Sequence, residues 1–158
     1  MKRFSMRRLA TIVLLSLAVI VSGTGAAVAS GAQVTRGEVQ TFATGLVRGY
    51  DISGHAQMVR TADGRTLTFV EVHGLVPDTT YPAHVHNAPC AVNSAGGHYQ
   101  HVPGGPVNDI NEIWLGFTTN ASGHGNGRAV NDFTARPEAQ SVVIHDVDGA
   151  RIACADLQ

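Results

Sequence analysis

Residues 66–73 read TLTFVEVH, and this stretch decides the fold class. An extended strand built from it carries Leu67, Phe69 and Glu71 on one face and Thr68, Val70 and Val72 on the other. Such a period of two is typical of a half-buried β-strand, whereas a helix repeats every 3.6 residues. The stretch is bounded by turn signals, because Asp63-Gly64 precedes it and Pro77-Asp78 follows it. It therefore predicts one strand with a turn at each end.

The rest of the chain repeats this pattern. From Glu38 onward no long stretch shows the period of an amphipathic helix, and Asp148-Gly149 marks a further tight turn between the last two strands. Candidate strands lie at about 38–49, 54–60, 66–73, 80–86, 112–119, 127–133, 140–146 and 150–156. Eight short strands separated by turn signals predict an all-β fold, an eight-stranded Greek-key sandwich or flattened barrel.

The N-terminal residues form a separate unit. A basic segment from Lys2 to Arg8 precedes an apolar run from Leu9 to Val21, and Ala27-Val28-Ala29 has the small-x-small pattern of a cleavage site. This order predicts a secretory signal peptide over 1–29, a flexible tail over 30–37 and one β domain over 38–158. The apolar run is too short to span a membrane as a helix, so we expect release without an anchor, to the periplasm or cell envelope or outside the cell.

The charge of the mature domain limits its partners. Seven arginines stand against twelve acidic residues after position 29, a net charge of about −5 with neutral histidines. This balance disfavours nucleic acid or an anionic membrane as a partner. The sequence gives no basis for assigning an oligomeric state.

The chain contains two cysteines, Cys90 and Cys154. In an exported chain an even count favours one disulfide. The alternative is a pair of thiolate metal ligands. It is less favoured because neither cysteine has a second one nearby in the sequence.

Histidines concentrate in residues 81–101, which read YPAHVHNAPCAVNSAGGHYQH. His84 and His86 are two residues apart, so in a strand both rings lie on one face and reach one metal ion. Gly96-Gly97 precedes His98 and would let the chain fold back to add a third imidazole. The irregular segment 87–111, which also carries His101, has the length of a functional loop. The stretch predicts a copper or zinc site.

Five motifs occur in a fixed order along the chain. They are His-Val-His at 84–86, a cysteine at 90, Ala-Gly-Gly-His-Tyr at 95–99, Val-Val-Ile-His at 142–145 and Arg-Ile-Ala-Cys at 151–154. This order resembles the copper/zinc superoxide dismutase family over about residues 45–157. The resemblance implies four copper ligands and a disulfide between Cys90 and Cys154. The ligands are His84, His86, His98 and His145.

The same resemblance implies two catalytic roles. Arg151 matches an arginine beside the copper that attracts and orients superoxide. His98 matches the histidine that takes up and delivers a proton. The activity implied is an exported, copper-dependent superoxide dismutase that converts superoxide to dioxygen and hydrogen peroxide.

The sequence departs from the pattern of the two-metal enzymes in two places, and in both it resembles the copper-only members of the family. The two-metal enzymes carry further zinc-binding histidines and an aspartate, but here residues 102–112 contain no histidine and Trp114 stands where the aspartate would. Only five residues separate His145 from Arg151, where the two-metal enzymes have a long charged loop. We therefore expect copper as the cofactor and no zinc.

Without zinc, the second ring nitrogen of His98 needs another partner, since metal-bound imidazoles usually donate that N–H to a carboxylate or carbonyl. Glu112 and Asp109 are the nearest downstream carboxylates, and Glu112 is favoured because it opens a predicted strand. His101 is the third candidate.

Two other readings of the histidines stay open. A non-catalytic protein that binds or buffers copper in the cell envelope would use the same four histidines without needing Arg151. A structural β domain would carry them incidentally.

Overall fold

The computed structural model describes residues 31–158, and the predicted signal peptide lies outside them. The described chain contains ten strands, one α-helix and a 3₁₀ turn at Asn93–Ala95. The elements are β1 (Gln33–Glu38), β2 (Gln40–Thr41), α1 (Ala43–Val47), β3 (Ser53–Arg60), β4 (Thr66–His73), β5 (Thr80–Tyr81), β6 (Ala83–His86), β7 (Phe117–Thr118), β8 (Gly125–Asn131), β9 (Ser141–His145) and β10 (Arg151–Asp156). Within residues 31–158 no helix has the length and apolar character needed to cross a membrane.

Eight of the strands form two four-stranded antiparallel sheets. The first sheet has the order β1-β3-β4-β8, and the second has the order β2-β10-β9-β6. The short strands β5 and β7 pair separately. The predicted all-β fold with an eight-stranded sandwich is confirmed.

Strand β4 lies inside the first sheet, and its alternating sequence explains its position. Thr68, Val70 and Val72 are buried, whereas Leu67 and Phe69 lie on the more exposed face. The buried face packs into one core between the sheets. The second sheet contributes to that core Val85, Val142, Ile144, Ile152, Ala153 and Ala155.

Strand β9 is buried along its whole length, which accounts for its near-continuous apolar sequence. One side faces the main core. Val143 on the other side packs with Cys154 and Ala95 in a second, smaller cluster. The segment after β6 therefore covers the outside of the second sheet and brings its own residues close to the end of β9.

The N-terminal expectations are wrong in two places. Residues 33–37 belong to the predicted flexible tail 30–37, but together with Glu38 they form β1, which pairs with β3 over six residues. Residues 38–49 were predicted as a strand but contain the short β2 and the helix α1. The inward residues of β1 are Thr35 and Gly37, so this edge strand shows no apolar alternation. Helix α1 has only five residues, too few to show a helical period.

The predicted strand 112–119 is also shorter than expected. Only Phe117–Thr118 forms a regular strand there, and Trp114 makes an isolated bridge to His84. Glu112, the first residue of the predicted strand, instead turns its carboxylate toward the ring of His98.

Candidate metal centre

Four histidines converge at one edge of the second sheet. His84 and His86 lie on β6, His145 ends the neighbouring strand β9, and His98 comes from the segment after β6. Each residue offers one ring nitrogen, and these four nitrogens lie within 4.8 Å of one another. The structure therefore brings together the four residues that the sequence predicted as ligands.

The chain folds back after β6 to place His98. The amide of Tyr99 donates to the Val85 carbonyl at 2.8 Å, and the amide of Asn87 donates to the Gly97 carbonyl at 2.9 Å. Gly96 has a φ of +67°, and a Cβ there would collide with the Asn87 side chain. This position requires glycine, as the sequence indicated.

The rings pack against one another with one side open. The His84 and His98 ring centroids are 4.2 Å apart and stacked, and those of His84 and His145 are 5.1 Å apart. His86 and His145 are buried, whereas His84 and His98 are partly exposed. A small molecule can therefore approach the cluster from the His84 and His98 side.

Burial favours the neutral form of three of the imidazoles, those of His84, His86 and His145. It is the largest cause that lowers the pKa of His84 to about 4 and that of His86 to about 3. Burial also lowers the pKa of His145, and the charges of His98 and Arg151 add to this effect. Neutral imidazole is the form that ligates copper or zinc.

Hydrogen bonds determine which nitrogens remain for a metal. Nδ1 of His145 is 3.0 Å from the Gly149 carbonyl, which leaves Nε2 facing the cluster. Nε2 of His145 and Nε2 of His86 are 3.4 Å apart. Nδ1 of His84 is buried without a hydrogen-bond partner in the described structure. Nδ1 of His86 is also buried without a partner. Because a buried polar atom without a partner is costly, the unpaired nitrogens of this cluster are consistent with a site that could hold a metal ion.

Glu112 holds the fourth ring in place. Its Oε2 accepts hydrogen bonds from His98 Nδ1 at 2.7 Å and from Trp114 Nε1 at 2.9 Å, and its Oε1 accepts from Gln100 Nε2 at 3.2 Å. The side chain is 1% exposed. Burial alone would raise the pKa of Glu112, but the hydrogen bonds from Trp114, His98 and Gln100 outweigh it and lower the pKa. The carboxylate is therefore ionised and leaves Nε2 of His98 free.

The other two candidates for this role lie elsewhere. Asp109 is exposed, and its backbone carbonyl accepts a hydrogen bond from the Asn131 side chain. The ring of His101 stacks on Phe133 with centroids 4.1 Å apart. Neither side chain takes the position that Glu112 occupies beside His98.

Sequence reasoning missed two donors to this carboxylate, Trp114 and Gln100. Trp114 also contacts the site directly, since its ring lies edge-on to His84 with centroids 5.7 Å apart. Trp114 follows Glu112 by two residues, and in an extended segment this spacing places both side chains on one side. The two-residue spacing therefore indicates that Trp114 lies beside Glu112, but it points to the site only once Glu112 is known to face the histidines.

Arg151 is held beside the cluster by the same segment that carries His98. Its guanidinium donates to the Ser94 carbonyl at 2.5 Å and to the Asn93 carbonyl at 3.4 Å. The predicted disulfide between Cys90 and Cys154 is formed and ties this segment to β10. The guanidinium therefore has a fixed position.

The comparisons with known proteins support the fold. No model of a protein family and no curated protein matches the sequence. Among solved structures, a glutamate-to-glutamine mutant of Candida albicans superoxide dismutase 5 matches with a TM-score of 0.58 and 15% identity, over 81% of this chain and 92% of that chain. The Cu(II) form of that enzyme matches with a TM-score of 0.55 and 15% identity, over 78% of this chain and 90% of the other. A glutamate-to-alanine mutant of the same enzyme matches with a TM-score of 0.55 and 16% identity, over 78% of this chain and 87% of that chain.

Proposed function

We propose that the protein is an exported, copper-dependent superoxide dismutase without a zinc site beside the copper. The observation that carries this proposal is the cluster of four imidazoles, open on one side, in which one ring is held by the buried carboxylate of Glu112. Its similarity in fold to Candida albicans superoxide dismutase 5 supports the same conclusion.

The ligand set suits copper. Imidazole accommodates both Cu(II) and Cu(I), and copper bound there would supply one-electron redox chemistry. His84, His86, His98 and His145 would hold it, and the hydrogen bonds at Nδ1 of His98 and of His145 leave Nε2 of these two rings for the metal. The overall reaction converts two superoxide ions and two protons to dioxygen and hydrogen peroxide.

His98 would move a proton during this reaction. Its Nδ1 is committed to the ionised Glu112, so Nε2 is the atom that would take up a proton, and it could do so only while it is not a metal ligand. The side chain is 31% exposed, which gives Nε2 access to water. Glu112 would keep the ring oriented through each transfer, a role that ligand-orienting carboxylates commonly have.

Arg151 would attract and orient the anionic substrate. Two carbonyl groups hold its guanidinium at the edge of the cluster, and its remaining N–H groups can donate to superoxide. This local positive charge acts against a mature net charge of about −5. A protein that only stores copper would not need a cation here, so Arg151 favours catalysis over buffering.

The absence of zinc is proposed because Glu112 already occupies the ring nitrogen of His98 that would bridge to a second metal. Adding zinc to the copper-loaded protein should leave the electron paramagnetic resonance spectrum of Cu(II) unchanged. A new spectrum on zinc addition would show that zinc does bind beside the copper.

The central test is superoxide decay in the presence of copper-loaded mature protein, followed by pulse radiolysis. We expect fast catalytic decay that disappears in His145→Ala and persists in Arg128→Ala, whose side chain lies on the opposite sheet over Phe69. Copper loading is followed separately by quenching of Trp114, the single tryptophan of the chain. Copper binding without catalytic decay would contradict the proposal and favour copper buffering.

A further inference from the structure

The turn that joins β9 to β10, residues 146–149, sets the orientation of one ring in the histidine cluster. His145 ends β9, and its Nδ1 is 3.0 Å from the carbonyl oxygen of Gly149. A carbonyl oxygen only accepts, so Nδ1 is the donor and Nε2 is left for the cluster. The direction of the His145 ring therefore depends on where the turn places the Gly149 carbonyl.

The turn has little support from the core. Val147, Asp148 and Gly149 are exposed, and only Asp146 is buried. Within the turn, the amide of Gly149 donates to the Asp146 carbonyl at 2.9 Å. A short exposed turn of this kind is held by hydrogen bonds and ion pairs more than by packing.

Arg48, from a different element, contacts two side chains of this turn. Its Nη1 donates to Oδ2 of Asp146 at 2.7 Å, and its Nη2 donates to Oδ2 of Asp148 at 2.8 Å. The hydroxyl of Tyr50 donates to the other oxygen of Asp146 at 3.0 Å. A guanidinium presents its N–H groups in a rigid planar fork, so one arginine bound to two carboxylates fixes their relative position.

Arg48 is itself anchored to the sheet that carries His145. It directly follows α1, and the amide of Phe42, just before this helix, donates to the Ile152 carbonyl of β10 at 2.8 Å. A Cβ at Gly45 would lie 2.4 Å from the same carbonyl oxygen, so the helix packs closely on β10. The arginine therefore connects a fixed helix to the exposed turn.

We propose that Arg48 is a positioning residue of the copper site. It holds the turn 146–149, the turn holds the Gly149 carbonyl, and the carbonyl keeps the His145 ring directed with Nε2 toward the other three histidines. This inference rests on the proposed function for the copper that His145 would ligate. The support of the ring itself requires no metal.

The first test compares the electron paramagnetic resonance spectrum of Cu(II) in the copper-loaded parent protein and in Arg48→Ala. We expect a changed parallel hyperfine splitting or a second Cu(II) species in the variant, because the His145 ring is no longer held in one direction. Copper affinity, measured by tryptophan quenching, should fall by about tenfold, the lower end of the effect of groups that orient a ligand. Arg48→Lys keeps one cation beside the turn and should show a smaller change. Arg65→Ala is the matched control, since Arg65 pairs with Asp63 at 2.8 Å in the turn between β3 and β4.

The second test uses the metal-free protein. The Nδ1–H proton of His145 is followed by nuclear magnetic resonance, and its signal should be present in the parent and in Arg65→Ala. We expect it to be lost from Arg48→Ala through exchange with water. If the parent binds no copper, the proposed function fails and this signal alone decides whether Arg48 holds the ring.

Two results would overturn the proposal. One is an Arg48→Ala variant that is less stable in urea but keeps the parent Cu(II) spectrum and the Nδ1–H signal, since Arg48 would then only stabilise the fold. The other is an equal change in Arg65→Ala. Neither test measures catalysis, so their outcome is separate from whether the protein consumes superoxide.

Discussion

Under the proposed function, Glu112 takes the place of a second metal beside His98. Three N–H groups donate to one buried carboxylate, and the shortest of these bonds, at 2.7 Å, comes from the ring of His98. A glutamine side chain in its place would have one acceptor oxygen and an NH₂ group that only donates. It therefore cannot accept all three hydrogen bonds. The negative charge of Glu112 is therefore as important for accepting these three hydrogen bonds as the shape of its side chain.

We predict that Glu112→Gln folds but lowers copper affinity or superoxide turnover by about 10- to 100-fold. Copper affinity is measured by Trp114 quenching and turnover by pulse radiolysis. Asp109→Asn is the matched control, since it removes an exposed carboxylate from the same segment. Parent-like values for Glu112→Gln in both measurements would show that the carboxylate does not position His98.

Arg151 is the residue that distinguishes catalysis from storage. We predict that Arg151→Ala keeps its copper but loses about tenfold or more of its superoxide turnover, because a fixed cation raises the encounter rate with an anion. The remaining activity should also depend less on ionic strength, since screening acts on that attraction. Copper content by elemental analysis and turnover at several salt concentrations measure these effects. Unchanged turnover would assign Arg151 to the ordinary surface.

At the scale of elements, the segment that runs from the end of β6 through the 3₁₀ turn to His98 connects several parts of the site. Cys90 anchors it to β10, the carbonyls of Asn93 and Ser94 hold Arg151, and Gly96 allows the turn that leads to His98. The disulfide spans 64 residues of sequence. Closing a loop of that length stabilises the fold by about 4 kcal/mol in the chain-entropy model.

We predict that the Cys90→Ala/Cys154→Ala double variant is less stable by up to about 4 kcal/mol. Its turnover should fall further than its copper content, because the carbonyls that hold Arg151 are no longer fixed to β10. Urea denaturation and metal analysis measure the two effects. The matched control is the parent protein treated with reductant, which should approach the variant. A variant with parent-like stability and turnover would contradict this role for the disulfide.

Elements with a strong local pattern were predictable from sequence, and those stabilised by distant contacts were not. The alternation of β4 and the apolar run of β9 identified both strands, and the HVH motif predicted two histidines on one face, which the structure places in the four-histidine cluster. Strand β1 carries no such pattern because its inward residues are small and its stability comes from pairing with β3. The links from Trp114 and Gln100 to Glu112 depend on tertiary placement of the long segment, which no local pattern encodes.

At the scale of the whole molecule, the four-histidine cluster makes the stability of the metal-free protein depend on pH. The fold lowers the pKa of His84 to about 4 and of His86 to about 3, chiefly by burial, and it lowers the pKa of His145 as well. In the unfolded chain a histidine titrates near pH 6.5. Below that pH the unfolded chain therefore binds protons that the folded chain does not, and stability is lost as the pH falls toward the folded-state values.

We predict that the free energy of unfolding of the metal-free protein falls steadily between pH 7 and pH 5, a window above the ordinary titration of carboxylates. Each such histidine contributes up to about 1.4 kcal/mol per pH unit below its unfolded-state pKa. Urea denaturation at several pH values measures the slope. His86→Gln removes the histidine with the lowest pKa and should flatten the slope, whereas Gln57→Ala should keep it. An equal slope in the parent and in His86→Gln would mean that acid destabilises the protein through groups outside this cluster.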